Sequence, residues 1–310
     1  MTPPTPTRDT PAGLVYNDLR NLARRERRDP AEYITLYALE GFLARLAVSE
    51  HAGEFVLKGG VLMAAFAARR PTRDIDFAAA GFNNDITDVE QRVRSIIEVH
   101  LEDGLEFDPD SAVGELIRDE AGYNGVRVKI IARLATAQVA LHVDLNFGDP
   151  IWPAPTEAVL PRLLGGTLRL RGYPDHMVLA EKIVTAIERG ERNTRWRDFT
   201  DIAALARTRS IRGTDLRSAV ETVARYRQVR IEPLGPLTAN MPDLAQRKWE
   251  VGRRKQRLKE ATPVGFDELL DTCFALTEPI LSESATNLIW DPRTSSWKPS
   301  DFEPGEEVLR

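Results

Sequence analysis

The sequence holds a single cysteine, Cys273, among 310 residues. One thiol excludes an internal disulfide and a zinc cage built of cysteines, and it fits a reducing compartment. No apolar run approaches the roughly 20 residues that a membrane helix needs. The stretch Met1–Thr7 lacks the apolar core of a signal peptide. These absences lead to the expectation of a soluble, cytoplasmic protein with no membrane partner. A global excess of positive charge is missing too, because 42 Lys plus Arg stand against 47 Asp plus Glu, a formal net charge of −5. That excludes a globally basic nucleic-acid coat and leaves local basic patches open. With 42% hydrophobic residues the chain can bury a substantial core, and its length suits two modest domains or one large one.

What is present is organised around residues 55–77. An apolar run at Phe55–Leu57 ends in Gly59-Gly60, an Ala-rich amphipathic stretch follows, and the segment closes on Asp74-Ile75-Asp76. The pattern predicts strand, glycine turn, helix, strand. The glycines permit positive φ and close approach to a ligand, and the helix they open offers unpaired N–H groups to an anion, which makes the turn a phosphate seat. Strand alternation points Asp74 and Asp76 to one face and Ile75 and Phe77 to the core. Two carboxylates held so close repel unless a cation sits between them, and such hard oxygen ligands suit Mg²⁺ shared with substrate phosphates.

In chain order, residues 1–11 carry four prolines and read as a disordered leader. Apolar spacing predicts one helix from Ala12 and a longer one behind the cap Asp29-Pro30, running to about Glu50. Arg24–Arg28 ends the first of these, and a solvated helix face is its plainer reading beside contact with a polyanion. Thr87–Leu101 reads as a further helix, whereas Glu102–Tyr123 shows no clear pattern. Val126–Leu134 and Gln138–Phe147 predict an antiparallel hairpin. In its second strand Asp144 sits at a polar position among apolar neighbours. If the hairpin lies beside the Asp74 strand, the three aspartates form one cluster.

Residues 175–208 predict two helices, with Asp175 as an N-cap and Gly190 as a stop. Residues three apart share a helix face, so Asp198 and Asp201 can both look toward Lys182. Taken alone, that is a salt-bridged helical hairpin. Helical periods continue at Leu216–Tyr226, Leu244–Leu258 and Phe266–Leu281. The second of these gathers Arg247, Lys248, Arg253, Arg254, Lys255 and Arg257 around Trp249, either as a solvated helix or as a track for an RNA backbone on which Trp249 stacks or packs. Beyond Ser282, Trp290 and Trp297 imply an ordered strap, and Glu303–Arg310 reads as loose.

The combination Leu57-Lys-Gly-Gly60 with Thr72-Arg-Asp-Ile-Asp76, Asp74 falling 14 residues after Gly60, resembles the AbiE-type toxin nucleotidyltransferases within the polymerase-β-like superfamily. Lys182 with the Arg197-Asp198…Asp201 pattern resembles the family's second signature. The resemblance implies an α+β fold: a nucleotidyltransferase domain with a mixed or antiparallel sheet and flanking helices over 12–172, a helical domain completing the active site over 173–285, and a tail over 286–310. It implies a toxin of a toxin–antitoxin or phage-defence system that moves a nucleotide, CTP or UTP being the favoured donors, onto the 3′ end of tRNA. A cognate antitoxin is the implied partner. On this view Asp74 and Asp76 hold Mg²⁺ or Mn²⁺, and Asp144 is a further ligand or the general base. Gly59 and Gly60 cradle phosphates, and Thr72 and Arg73 add a hydroxyl and a cation. Lys182 binds the triphosphate beside Asp198, and Asp201 orients Lys182 or the nucleotide. Lys58 reads as structural, since alternation does not decide its direction. Two other readings stay open from the residues alone: a small-molecule or protein acceptor, and a non-catalytic nucleotide- or RNA-binding regulator in which Asp74 and Asp76 pair with Arg69, Arg70 and Arg73.

Overall fold

A computed structural model describes residues 6–66, 72–118, 124–192, 196–255, 258 and 262–300. The chain divides into two compact units, one made of residues 1–65, 69–149 and 155–173, the other of 66–68, 150–154 and 174–310. Arg69, Arg70, Arg257 and Glu303–Arg310 lie outside the described residues.

The first unit opens with two helices set by their caps. In α1 (Pro11–Arg25) the Thr10 hydroxyl accepts the Gly13 N–H at 3.1 Å, and in α2 (Pro30–Val48) Asp29 accepts the Ala31 N–H at 2.9 Å with Pro30 in the first turn. The central motif follows as β1 (Phe55–Lys58), α3 (Gly59–Leu62) and β2 (Asp74–Ala79). The strands match the pattern. The expected amphipathic helix is shorter, a single α turn that tightens into a 3₁₀ turn at Met63–Phe66. Two consecutive glycines at its start explain the weakness, each costing about 1 kcal/mol against alanine.

Next come α4 (Ile86–Glu98), capped by Asp85, then β3 (Leu105–Arg118), β4 (Asn124–Leu134), β5 (Ala137–Asn146), β6 (Thr156–Pro161) and β7 (Thr167–Gly172). The β4–β5 hairpin is antiparallel, as its alternation predicts. The seven strands form one mixed sheet in the order β3-β4-β5-β2-β1-β7-β6, in which the pairs β5–β2 and β1–β7 are parallel and the others antiparallel. The patternless stretch Glu102–Tyr123 thus contains an edge strand. Asp108, Pro109, Asp110 and Gly114 mask it, and the register shifts between Asp108 and Val113.

Ile75 and Phe77 are fully buried. Phe77 meets Phe42 of α2 at 6.3 Å and Phe55 of β1 at 5.3 Å between ring centroids. This apolar layer fixes the register of β2, because a one-residue slip would bury its aspartates. The opposite face carries the polar side chains of β2, Asp74 and Asp76.

The second unit is mostly helical: α5 (Asp175–Arg189), α6 (Trp196–Thr208), the short β8 (Ile211–Arg212), α7 (Gly213–Arg227), α8 (Leu234–Leu237), α9 (Met241–Lys255) and α10 (Phe266–Leu281). The cap of α5 differs from expectation. Pro174 occupies the cap position without a side-chain bond, and Asp175 is the first helical residue. Its carboxylate binds the His176 ring at 3.1 Å and Arg209 at 3.1 Å. Burial works to raise the Asp175 pKa, yet these two partners outweigh it and hold the group below its ordinary value. The strap expected from Trp290 and Trp297 is a hairpin of β9 (Leu288–Asp291) and β10 (Ser296–Pro299) added to β8. Trp290 is fully buried and donates to the Ala206 carbonyl at 2.6 Å.

Candidate active site

Strand register builds a charged row across the polar face of the sheet. Lys58 of β1 stands opposite Asp76 of β2, Asp76 opposite Asp144 of β5, Asp144 opposite Arg127 of β4, and Arg127 opposite Glu115 of β3. Register partners share a face. One step along, Asp74 stands opposite His142, and His142 opposite Lys129. The hairpin therefore does lie beside the Asp74 strand, and β2 and β5 together bring Asp74, Asp76 and Asp144 to one face.

Each carboxylate has a distinct setting. Asp76 packs against the glycine turn: Gly59 has φ of 66°, and a Cβ there would come within 2.0 Å of the Asp76 Oδ2. Only glycine fits, both for its backbone and for its space. Asp74 is 46% exposed and lies 2.9 Å from Nδ1 of His142. Asp144 is nearly buried and is gripped by Arg127, whose Nε donates to Oδ1 at 2.7 Å and whose Nη2 donates to Oδ2 at 2.6 Å. This bidentate bond is the main reason the Arg127 pKa lies above its ordinary value. Thr72 caps the strand entry by donating to the Asp74 carbonyl at 3.1 Å, and Arg73 is exposed. Gly60 and Thr72 also line a small, mostly aliphatic pocket with Leu36, Leu39, Leu43, Val61 and the acidic Glu40, a lining unsuited to phosphate.

Among the described residues no group of three or more His, Cys, Asp or Glu side chains is gathered closely enough to hold a metal ion. The donor chemistry nevertheless fits a hard divalent cation, since two carboxylates on β2 and one on the adjacent β5 share a face, and Asp76 is seated where a Cβ at Gly59 would fall. A cation drawing on Asp144 must compete with Arg127. Alternation within β5 puts His142 on the polar face with Asp144, but only the β2–β5 register sets it opposite Asp74. Arg127 is not legible as a site residue from local sequence; its signal is the period-two polarity of Val126-Arg-Val-Lys129, which carries meaning only once the β4–β5 register is known.

In the second unit the Lys182 ammonium donates to Asp201 at 2.7 Å and to Asp198 at 3.1 Å. Lys182 and Asp201 are 9% and 2% exposed. These two bonds tie α5 to α6 in a largely buried setting. In α9, Arg247, Lys248 and Arg254 are exposed, whereas Arg253 is buried and bound to the Thr262 hydroxyl at 3.1 Å and carbonyl at 2.8 Å. Arg253 is thus committed to the fold and is not available to a phosphate. Trp249 is fully buried between Trp196 and Phe266, with ring centroids at 5.5 and 5.8 Å, and donates to the Val264 carbonyl. It packs and does not stack on a base.

Comparison with known proteins follows the same lines. The family described as Nucleotidyl transferase AbiEii toxin, Type IV TA system, matches residues 41–277. A solved candidate nucleotidyltransferase from H. pylori is 15% identical, covers 82% of this chain and 96% of its own, and superposes with a TM-score of 0.50. JHP933 from Helicobacter pylori is 16% identical over 79% of this chain and 89% of its own, with a TM-score of 0.46. At these identities the first shows a shared fold. No curated protein matches the chain.

Proposed function

The chain belongs to the AbiEii nucleotidyl transferase toxin family, and from that premise we propose that it moves a nucleotide from an NTP to the 3′ end of tRNA in a Mg²⁺-dependent reaction that blocks translation. The coarser part follows from membership: a toxin of a toxin–antitoxin system, a nucleotidyltransferase that uses an NTP and a divalent metal, and a protein with an antitoxin partner. The tRNA acceptor, the preference for CTP or UTP, Mg²⁺ over Mn²⁺, the phage-defence setting and a cytoplasmic location are the proposal. The observation that carries the reading is the placement of Asp74, Asp76 and Asp144 on one sheet face against the Gly59 turn.

In the proposed reaction the acceptor hydroxyl attacks the α-phosphorus, the new P–O bond forms in line with the breaking one, and pyrophosphate leaves. Such a step is driven by alignment and charge neutralisation. Mg²⁺ held by Asp74, Asp76 and Asp144 would neutralise the triphosphate and polarise the reacting oxygens. Asp144 serves as ligand or takes the hydroxyl proton. Gly59 lets the backbone approach phosphate closely, Gly60 continues the turn, and Thr72 holds the strand that carries Asp74. Exposed Arg73 offers a cation to the nucleotide. We assign the triphosphate contact in the second unit to Lys182, oriented by Asp198 and Asp201.

The test is transfer of label from each α-³²P NTP to tRNA, with a small-molecule acceptor screen alongside. The reading expects label on tRNA, at least a thousandfold loss in Asp74→Ala, and a comparable loss in Lys182→Ala, with melting unchanged for Asp74→Ala. The pairing of Asp144 with Arg127 and of Asp74 with His142 favours a second reading, a non-catalytic binder in which the row is a closed charge network. Metal-independent nucleotide binding with no transfer to any acceptor would establish that reading and reject the first.

A further inference from the structure

Lys58 is the last residue of β1 and immediately precedes Gly59. It stands opposite Asp76, and its neighbour Gly59 is the residue whose missing Cβ makes room for the Asp76 carboxylate. Its ammonium donates to Asp149 Oδ2 at 2.7 Å and lies 5.5 Å from the centroid of the Tyr173 ring. The Lys58 and Asp149 side chains are 8% and 7% exposed. Asp149 follows the turn at Gly148, three residues beyond the end of β5, the strand that carries Asp144. Tyr173 is anchored in turn, its N–H donating to the Leu57 carbonyl at 3.0 Å.

The topology gives this pair its meaning. In the order β5-β2-β1 the strand bearing Asp74 and Asp76 lies between the two strands that the pair connects. A buried ion pair is a poor source of stability, because desolvating both charges offsets most of their attraction. What it does enforce is a fixed distance and direction between two backbones. We propose that Lys58 and Asp149 are positioning residues for nucleotidyl transfer: their ion pair spans β2, fixes the Gly59 turn against Asp76, and holds the end of β5 so that Asp76 and Asp144 can serve one cation. The inference rests on the transferase reading of the same face. It gives Lys58 a role beyond the structural one that its sequence position suggests.

The experiment compares wild-type protein with Lys58→Met/Asp149→Leu and with Asp149→Asn. The double variant removes both charges together and leaves apolar groups of similar size, so neither member of the pair stays buried as a charge without the other. In Asp149→Asn the ammonium keeps its charge and loses the Asp149 carboxylate, which shifts its pull toward Asp76. Three quantities are read: cooperative thermal unfolding, Mn²⁺ affinity of the protein by electron paramagnetic resonance, and kcat and KM for nucleotide transfer. The expected result is cooperative unfolding in both variants and a melting midpoint of the double variant close to wild type. KM for NTP stays within about twofold, while kcat and Mn²⁺ affinity fall about tenfold or more, most in Asp149→Asn.

Wild-type kcat and Mn²⁺ affinity in either folded variant overturns the proposal. Loss of cooperative unfolding in both variants also overturns it, since the pair is then structural only. The two readings separate cleanly: a wild-type protein that binds Mn²⁺ and transfers nothing rejects the transferase reading, and the positioning role then stands or falls on the Mn²⁺ affinities. A wild-type protein that neither binds Mn²⁺ nor transfers overturns both.

Discussion

Arg127 decides how the carboxylate row behaves toward a cation. Its guanidinium holds both oxygens of Asp144, so metal binding and this bond compete for the same lone pairs. Near a protein surface two unit charges 4 Å apart attract by about 4 kcal/mol, and water reaching the partly exposed Arg127 reduces that figure. A tenfold change in affinity needs only about 1.4 kcal/mol. Arg127→Gln is therefore expected to lower the Mn²⁺ concentration at half saturation about tenfold, read by calorimetry; a rise instead would mean that Arg127 aligns Asp144 for the metal. At this scale the sequence shows Asp74, Asp76 and Asp144, because alternation within one strand assigns each to a polar face. It hides Arg127, the pairing of His142 with Asp74 and the Lys58–Asp149 pair, because these meet only through strand register and a long-range turn.

At the scale of elements the same division holds, and α9 is its clearest case. The dense cations around Trp249 look like one basic face, yet helical periodicity turns Trp249 and Arg253 inward while Arg247, Lys248 and Arg254 stay outside. Gly252 allows this packing, since a Cβ there would meet the Trp196 ring at 2.5 Å. Trp249→Ala should then cost stability of about 3–5 kcal/mol, as for other large buried aromatics, measured by denaturant unfolding of the full chain. A loss under about 1 kcal/mol would contradict a core role. The motif strands, the β4–β5 hairpin and the helices α5, α6, α7 and α10 are legible because their apolar spacing is regular. The edge strand β3 is not, since its proline, glycine and aspartates suit an irregular edge that tertiary pairing completes. The β6–β7 hairpin is likewise defined by its neighbours, one half-buried alternation leaning on β1.

Across the whole molecule the formal charge of −5 opposes approach to a polyanion, so a tRNA acceptor requires local cations to overcome it. Arg247, Lys248 and Arg254 are exposed on one helix, whereas Arg28, Arg45 and Arg92 already sit in ion pairs with Glu32, Asp103 and Glu54. If the three α9 cations neutralise phosphates, each contributes about 0.7 to the slope of log affinity against log salt on single-stranded RNA. Replacing all three with glutamine should therefore flatten that slope by about 2. It should weaken tRNA modification steeply at about 150 mM KCl and leave KM for NTP unchanged, because phosphate contacts to the acceptor carry no nucleotide-donor term. The measurement is transfer rate against tRNA concentration at four salt levels. An unchanged slope with an unchanged rate would remove α9 from the acceptor path and place the tRNA contact on other cations. A flattened slope would show that a molecule of net negative charge recruits RNA through one helix face.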